Sequence, residues 1–319
     1  MSSLPHQHYT SGQHHHQERQ RLFRSTWLLA GHISQLEPHT QYAVNIAGIP
    51  IVLWYTQSEI KAFANMCRHR GAPLLSKGER QKGTQLRCSY HGWIYDDTGT
   101  LVNNADFANP CQNLRLHRLQ VWIKSGLIFV SWNPQTNTPM DIYPTLFDTL
   151  SGMDQWTIRS NSRETLRCNW KVYLETQLRN SCTTSLNPSL SKELSLSSNI
   201  NLQPKIDSPV STPFEGYRAY CWPNLLLTGY PTGIRIDRIL PLSVNETDIE
   251  YWYMFPTEVS QDTVDDAIEH SHHVIRNDIQ GSEAIQIRME NGLYTPDPLI
   301  HNDAHGIAAF HYWVEQCLQ

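Results

Sequence analysis

The chain has 319 residues, and at roughly 150 residues per domain this length predicts two domains. Hydrophobic residues make up 39%, which allows a sizeable core and excludes wholesale disorder. A net charge of −5 and a pI of about 6.3 argue against nucleic-acid binding, which requires a basic surface. The sequence contains no run of about 18 apolar residues, so no membrane span is predicted. The N-terminus is polar and lacks the apolar segment of a signal peptide. We therefore predict a cytoplasmic protein that binds neither nucleic acid nor membrane.

The first half of the chain has the pattern of an all-β domain that follows an N-terminal arm. The arm, residues 1–23, contains three consecutive histidines among glutamines and is predicted to be mobile. Short apolar runs between turn residues then continue to about residue 134, and such runs indicate strands. The predicted strands cover residues 42–46, 51–55, 61–64, 119–123 and 127–130.

Beyond residue 134 the pattern changes to a mixture of helices and strands. Apolar spacing predicts a helix that begins after Asn169, its expected N-cap. Residues 215–256 alternate like strands, and residues 264–289 form a long amphipathic helix that Gly292 ends. We therefore expect an α+β domain over residues 135–319, in which helices accompany an antiparallel sheet.

Two short cysteine and histidine motifs carry the strongest chemical signal. Eighteen residues separate the pair Cys67 and His69 from the pair Cys88 and His91. Structural zinc sites more often take two cysteines from one loop and two histidines from another, whereas here each loop supplies one of each. This mixed arrangement favours a Rieske [2Fe–2S] cluster, in which two thiolates hold one iron and two imidazoles hold the other. A structural zinc site is the alternative.

The segments around these ligands resemble those of Rieske non-haem iron oxygenase α subunits, the ring-hydroxylating type. The similar segments are residues 27–31, 67–74, 88–95, 169–175 and 310–313. The resemblance implies an all-β Rieske domain over residues 24–134 and a helix-grip domain over residues 135–319, which in the family holds a mononuclear Fe(II). It also implies trimer-based rings, in which each cluster faces the mononuclear iron of the next subunit, and reduction by a flavin or ferredoxin reductase. The short chain favours a monooxygenase or demethylase relative.

The family's ligands for the mononuclear iron are largely missing from this sequence. Two histidines and a carboxylate hold that iron in the family, as in many non-haem oxygenases. Aligning the family pattern on Asn169 places Cys182 and Asn187 at the histidine positions. Arg179 occupies the position of the acidic residue that relays the electron, and only the carboxylate position is retained, as Asp278. The resemblance therefore implies a degenerate site without mononuclear Fe(II).

The other polar residues that could complete this iron site are expected to have structural roles. Asp278 lies at the edge of an apolar stripe, where an acid needs a partner, so a salt bridge or cap is favoured over metal binding, with Arg179 as a candidate. Three histidines do not share the helix face of Asp278 and are predicted to be solvated or at an interface: His270, His272 and His273. Three others are too distant in sequence to assign: His301, His305 and His311.

Three functions remain open at this point. We favour an α-type subunit whose cluster passes electrons to the mononuclear iron of a related partner subunit in a hetero-oligomer. The complex would hydroxylate or demethylate a small organic substrate with O2. The first alternative is a conventional Rieske monooxygenase whose unusual iron site uses Cys182, Asp278 and a third ligand. The second is a structural or regulatory subunit without catalytic activity.

Overall fold

The structure is a computed structural model that describes residues 4–103, 114–133, 137–143, 146–147, 150–178, 218–230, 232–294 and 305–319. It divides into two compact units, a β unit of Arg24–Thr136 and an α+β unit of Met1–Phe23 and Asn137–Gln319. This architecture confirms the predicted fold class. In the described ranges, no helix is long and apolar enough to cross a membrane.

The β unit contains two antiparallel sheets. Its described strands are β1 Leu28–His32, β2 Thr40–Ile46, β3 Ile49–Tyr55, β4 Ile60–Ala64, β5 Arg80–Lys82, β6 Gln85–Arg87, β7 Ile94–Asp96, β8 Leu101–Asn103, β9 Arg118–Lys124 and β10 Leu127–Ser131. The larger sheet has the order β1-β10-β9-β4-β3-β2-β5, and the smaller has the order β6-β7-β8. The five strands predicted from the sequence correspond to β2, β3, β4, β9 and β10, so these predictions are confirmed.

A tight hairpin joins β9 to β10 and packs against β1. Ser125 and Gly126 both have positive φ, 52° and 76°, as a two-residue hairpin turn requires. A side chain on Gly126 would overlap the ring of His32, so glycine is required for space as well as for conformation. His32 is thereby enclosed, with no exposed surface.

The described residues of the α+β unit form one antiparallel sheet and two long helices. Its described strands are β11 Thr157–Leu166, β12 Arg218–Cys221, β13 Leu225–Gly229, β14 Ile234–Ser243 and β15 Glu246–Phe255, in the order β11-β15-β14-β13-β12. Its described helices are α1 Gln7–Thr10, α2 Gly12–Gln17, α3 Phe23–Ser25 at the unit boundary, α4 Pro139–Ile142, α5 Trp170–Leu178, α6 Gln261–Glu290 and α7 His305–Leu318. A π-helical segment lies at Glu18–Leu22 and a 3-10 segment at Met153–Gln155, while the β unit has a 3-10 segment at Ile33–Gln35.

Capping residues mark the start of α5 and both ends of α6. The Asn169 Oδ1 accepts a hydrogen bond from the Lys171 backbone N–H at 3.0 Å, which confirms Asn169 as the N-cap of α5. The Ser260 side chain accepts from the Thr263 backbone N–H and caps α6. Gly292, at a φ of 67°, follows the end of α6 as predicted.

The N-terminal segment differs from the mobile arm that its composition predicted. Residues 7–25 are almost continuously helical, and Leu4, Tyr9 and Leu22 are buried. The Glu18 carboxylate contacts the Lys171 ammonium at 2.5 Å, and neither side chain has exposed surface. The Trp170 Nε1 donates to the same carboxylate at 2.9 Å. The polar composition of the segment does not indicate this packing, because the partners lie on α5, far along the chain.

Candidate metal centre

Two loops that carry the predicted ligands close in the same way. The Cys67 N–H donates to the Ala72 carbonyl at 2.8 Å, and the Cys88 N–H donates to the Trp93 carbonyl at 2.8 Å. In each loop a glycine four residues after the cysteine donates back to the cysteine carbonyl, at 2.9 Å from Gly71 and 3.0 Å from Gly92. Both glycines have positive φ, 74° and 69°, which explains the residue type at these positions. The shared pattern presents one cysteine and one histidine from each loop.

The four predicted ligands meet as two pairs. The Cys88 thiol is close enough to Cys67 to contribute to the raised pKa of the Cys67 thiol, and both cysteines are free and 2% exposed. The rings of His69 and His91 lie with centroids 4.6 Å apart and planes at 70°. Among the described residues, no three metal-binding side chains converge as a single metal ion would need. A pair of thiols and a pair of imidazoles, one of each from either loop, fit a [2Fe–2S] cluster.

One imidazole nitrogen of the predicted ligands is buried without a hydrogen-bond partner among the described residues. This nitrogen is the His69 Nδ1. A buried nitrogen without a partner is costly, and binding iron would satisfy it. The Trp93 ring stacks on His69 with centroids 4.7 Å apart and planes at 11°, so it holds the imidazole in place. We therefore propose the Nδ1 atom as the iron-binding nitrogen of His69.

Tyr95 is a candidate functional residue that the ligand motifs alone did not reveal. Its hydroxyl accepts from the Arg68 backbone N–H at 3.0 Å and lies 3.2 Å from the Cys67 Sγ, to which it would donate once that sulfur is a thiolate. Burial raises the pKa of the Cys67 thiol, and the hydrogen bond with Tyr95 opposes that rise. The signal in the sequence was an aromatic residue four positions after His91, which is also typical of a plain core position.

The sulfur side and the imidazole side of the site differ in exposure. Cys67, Cys88, Trp93 and Tyr95 belong to one buried core cluster. His69 and His91 are half-buried, and the neighbouring Tyr90 is 63% exposed. The imidazole side is therefore the side from which another molecule reaches the site.

The expected iron site of the α+β unit is described only in part. Arg179, Cys182 and Asn187 lie outside the described residues. Asp278 is half-buried on α6 and accepts a hydrogen bond from the Gln177 Nε2 on α5 at 3.0 Å. The carboxylate therefore has a partner, as expected, and the neutral Gln177 amide is one such partner in the described part of the chain.

A buried polar network sets the position of the helix that carries Asp278. The Arg235 Nε donates to the Asp237 Oδ1 at 2.7 Å, and its Nη1 donates to the Ser271 Oγ of α6 at 2.5 Å. The Tyr253 hydroxyl donates to the same Ser271 oxygen at 3.0 Å. Ser271 and Asp278 are two helical turns apart, so they share the face of α6 that is directed at the sheet. Sequence reasoning missed this network.

The histidines considered as substitutes divide into exposed and structural ones. His272 and His273 are exposed, as expected for a solvated cluster, and His270 is half-buried. His311 is 3% exposed, and its Nε2 lies 2.9 Å from the Glu175 Oε1. His301 and the side chain of His305 lie outside the described residues.

Comparison with known families assigns both parts of the chain. Residues 26–119 match the Rieske [2Fe-2S] domain. Residues 192–319 match the catalytic domain of the ring hydroxylating alpha subunit. The first match contains all four predicted cluster ligands, and the second contains Asp278.

Two curated relatives show how the similarity is distributed. The chlorobenzene dioxygenase subunit alpha of Cupriavidus sp. (strain PS12) is 30% identical over 188 residues, 52% of this chain and 40% of the relative. The chloroplastic choline monooxygenase of Beta vulgaris is 24% identical over 349 aligned positions, 98% of this chain and 76% of the relative. The alignment with the first relative thus spans less than half of that protein.

Solved structures share the fold over the whole chain. The quaternary ammonium Rieske monooxygenase CntA in complex with L-carnitine superposes with a TM-score of 0.83 at 21% identity, covering 100% of this chain and 96% of that one. Naphthalene 1,2-dioxygenase from Rhodococcus sp. superposes with a TM-score of 0.74 at 16% identity, covering 99% and 94%. At these identities the likeness establishes the fold.

Proposed function

Because this chain belongs to the family of Rieske oxygenase α subunits, we propose that it is the electron-transferring subunit of a Rieske oxygenase system. Its cluster would supply electrons to a mononuclear iron that a related α-type partner subunit holds. The complex would use O2 to hydroxylate or demethylate a small organic substrate. A separate flavin or ferredoxin reductase would deliver the electrons.

The observation that carries this proposal is the pairing of two buried thiols with two adjacent imidazoles. Cys67 and Cys88 would hold one iron, and His69 and His91 the other. When bound, such a cluster accepts and donates one electron at a time. The protein's own part is to exclude water from the thiolates, to hold the His69 ring against Trp93 and to direct the Tyr95 hydroxyl at the Cys67 sulfur.

The second part of the proposal is that this chain does not activate O2 by itself. Support comes from the sequence, in which Cys182 and Asn187 replace both histidines and Arg179 replaces the acidic residue. One carboxylate, Asp278, is too few ligands to retain Fe(II) against water. Its hydrogen bond with Gln177 gives it a partner that needs no metal.

Full-length similarity favours monooxygenation over ring dioxygenation. The alignment with the choline monooxygenase covers 98% of this chain, whereas the alignment with the chlorobenzene dioxygenase covers 52%. We therefore propose a monooxygenase or demethylase system.

The test is a metal count combined with spectroscopy on protein purified without oxygen. We expect about two irons per chain and, after reduction, the low average g value of a cluster with mixed histidine and cysteine ligands. No substrate-dependent O2 consumption is expected from the pure chain with a competent reductase. Bound zinc, or a spectrum of all-cysteine ligation, would refute the cluster.

About three irons per chain would instead support the conventional oxygenase with an unusual site at Cys182 and Asp278. The double variant Cys182→His/Asn187→His provides the matched comparison. If the parent lacks the third iron, this variant is expected to bind more iron than the parent. Turnover need not return, because Arg179 still occupies the electron-relay position.

A further inference from the structure

Two histidine rings of the N-terminal segment lie against each other. The rings of His8, on α1, and His14, on α2, have centroids 4.5 Å apart and planes at 44°. The Nδ1 atom of each ring is buried and has no hydrogen-bond partner among the described residues. A buried nitrogen without a partner is costly, so such atoms usually have an ordered water or an ion beside them.

A break between α1 and α2 brings the two rings together. In one continuous helix, residues six positions apart would lie about 9 Å apart along the axis and on different faces. Ser11, between the two helices, is extended instead, with a φ of −92° and a ψ of 122°. Its N–H donates to the Gln7 carbonyl at 2.9 Å, and its carbonyl accepts from the His15 N–H at 3.1 Å. The pairing of the two rings therefore follows from the backbone.

Both rings belong to a part of the segment that is already held in place. Tyr9, next to the first ring, is buried, and its hydroxyl donates to the Glu175 carboxylate at 2.5 Å. His15, next to the second ring, is 6% exposed, and its Nδ1 lies 4.0 Å from the Glu18 carboxylate. A ligand bound between the two rings would therefore have little of the chain to order, which favours binding.

The charged groups that act on this histidine pair compensate each other. Lys171, which would repel a cation, and Glu18, which would attract one, both act electrostatically on the His8 ring. The Lys171 ammonium lies 2.5 Å from the Glu18 carboxylate, and neither side chain has exposed surface. At that separation the two opposite charges largely cancel at the histidine pair, so the ammonium does not exclude a cation.

The spacing of the rings suits a late transition-metal ion. Two imidazoles that bind one ion at about 2.0 Å have ring centres roughly 4.5–5 Å apart, and the shorter spacing belongs to a right-angled arrangement. The observed 4.5 Å is at this shorter end. Right-angled coordination by nitrogen and oxygen is typical of Ni2+ and Cu2+, which imidazole binds well.

We propose that His8 and His14 form a binding site for a divalent transition-metal ion of the Ni2+ and Cu2+ class, with each ring binding through its Nδ1 atom. Water would complete the coordination, because two side chains are fewer than a tightly held structural ion takes. The bound ion would join α1 to α2 and stabilise the N-terminal segment. The pair lies in the α+β unit, whereas the four predicted cluster ligands lie in the β unit, so this site does not depend on the proposed function.

The first test is a calorimetric titration of the holoprotein with Ni2+. The variants His8→Asn and His14→Asn each remove one ring of the pair. The matched control is His16→Asn, because His16 belongs to the same histidine tract but is exposed. Far-ultraviolet circular dichroism checks that each variant is folded.

We expect each ring variant to bind Ni2+ at least about tenfold more weakly than the parent, because losing a ligand costs no less than losing the hydrogen-bond partner behind one. His16→Asn should bind Ni2+ as the parent does. Added Ni2+ should also raise the urea midpoint of the parent more than that of His8→Asn, since the ion binds only the folded segment.

Electron paramagnetic resonance of bound Cu2+ identifies the ligands directly. One equivalent of Cu2+ added to the oxidised holoprotein should show coupling to two imidazole nitrogens in the parent and to one in His14→Asn. Three outcomes would overturn the proposal: a parent spectrum without imidazole coupling, unchanged Ni2+ affinity in both ring variants, or an equal loss in His16→Asn. The second would mean that water satisfies the two rings, and the third that the exposed tract binds metal without a defined site.

Discussion

The Tyr95 hydroxyl lies 3.2 Å from the Cys67 sulfur, within hydrogen-bonding range of a predicted cluster ligand. The same hydroxyl accepts from the Arg68 backbone N–H, and it would donate to the sulfur of a cluster-bound thiolate, which has no proton of its own. Hydrogen bonds to cluster sulfurs stabilise the reduced, more negative state and raise the reduction potential. Tyr95 is therefore placed to tune the cluster without binding it.

The variant Tyr95→Phe should lower the reduction potential of the cluster. A hydrogen bond is worth about 1 kcal/mol, which for one electron corresponds to roughly 40 mV. Redox titration followed by visible circular dichroism measures the shift. Tyr55→Phe, on β3, is the matched control and should leave the potential unchanged. A Tyr95→Phe potential equal to the parent's would contradict this role.

His32 should make the β unit sensitive to acid. Burial lowers its pKa from 6.5 to about 4. The unfolded chain binds this proton near pH 6.5 and the folded chain only near pH 4, so stability is lost as the pH falls through this window. The full loss amounts to about 3 kcal/mol.

Urea unfolding at about pH 7 and about pH 5 tests this. In the parent protein, the His32 Nδ1 accepts a hydrogen bond from the Ser34 backbone N–H at 3.2 Å. The variant His32→Asn keeps an acceptor for this N–H, but its side chain cannot titrate. This variant should lose less stability than the parent between the two pH values. His39→Asn, at an exposed position, should lose as much as the parent. Equal losses in all three proteins would mean that His32 does not titrate in this window.

At the scale of elements, the N-terminal segment belongs to the α+β unit through α5. Burial lowers the pKa of Lys171, while the Glu18 carboxylate favours its charged form. The Tyr9 hydroxyl donates to the Glu175 carboxylate, also on α5, at 2.5 Å. The segment therefore holds α5, the helix that bears Gln177, at two points along its length.

Glu18→Gln should destabilise the α+β unit by about 3–5 kcal/mol, because it leaves a buried ammonium without its counter-charge. The double variant Glu18→Gln/Lys171→Met removes both charges and should recover part of this loss. Urea unfolding gives the free energies, and trypsin cleavage after Arg19 and Arg21 reports release of the segment. A double variant no more stable than Glu18→Gln would show that the pair's charges are not the cause.

At the scale of the whole molecule, the proposed loss of the second iron bears on assembly. A ring of identical copies would direct every cluster at a site without iron, which gives no turnover. In a hetero-oligomer with an iron-bearing α-type partner, each electron would pass from the cluster to the partner's mononuclear iron. Such an assembly needs a specific interface, well above about 1,000 Å² of buried area.

We expect co-expression with such a partner to give a mixed complex whose activity depends on this chain's cluster. Cys67→Ser in this chain should lower the activity of the complex, while Cys317→Ser, a cysteine remote from the ligand motifs in sequence, should not. Substrate-dependent O2 consumption is the measurement. A partner that is fully active alone, together with no effect of Cys67→Ser in the complex, would rule out the electron-donor role.

The local sequence was sufficient to predict those structural features that depend on neighbouring residues. Five of the ten described strands of the β unit, the cap at Asn169 and the long helix α6 were predictable, because periodicity and capping are short-range properties. Arg235 and Asp237 are two residues apart on β14, so their spacing places them on the same face of the strand. That spacing does not predict that both side chains are buried. Burial depends on α6, which brings Ser271 to the same cluster from a distant part of the chain.

The sequence by itself determined the candidate ligand set Cys67, His69, Cys88 and His91, since the residue types and the mixed spacing carry the cluster chemistry. Only the tertiary structure decided that these side chains meet as a thiol pair and an imidazole pair, and that Tyr95 reaches the Cys67 sulfur. It also decided that Glu18 is buried, because its partner Lys171 lies 153 residues away. The physical reason is the same in each case: contacts between distant segments arise from packing, which no local pattern encodes.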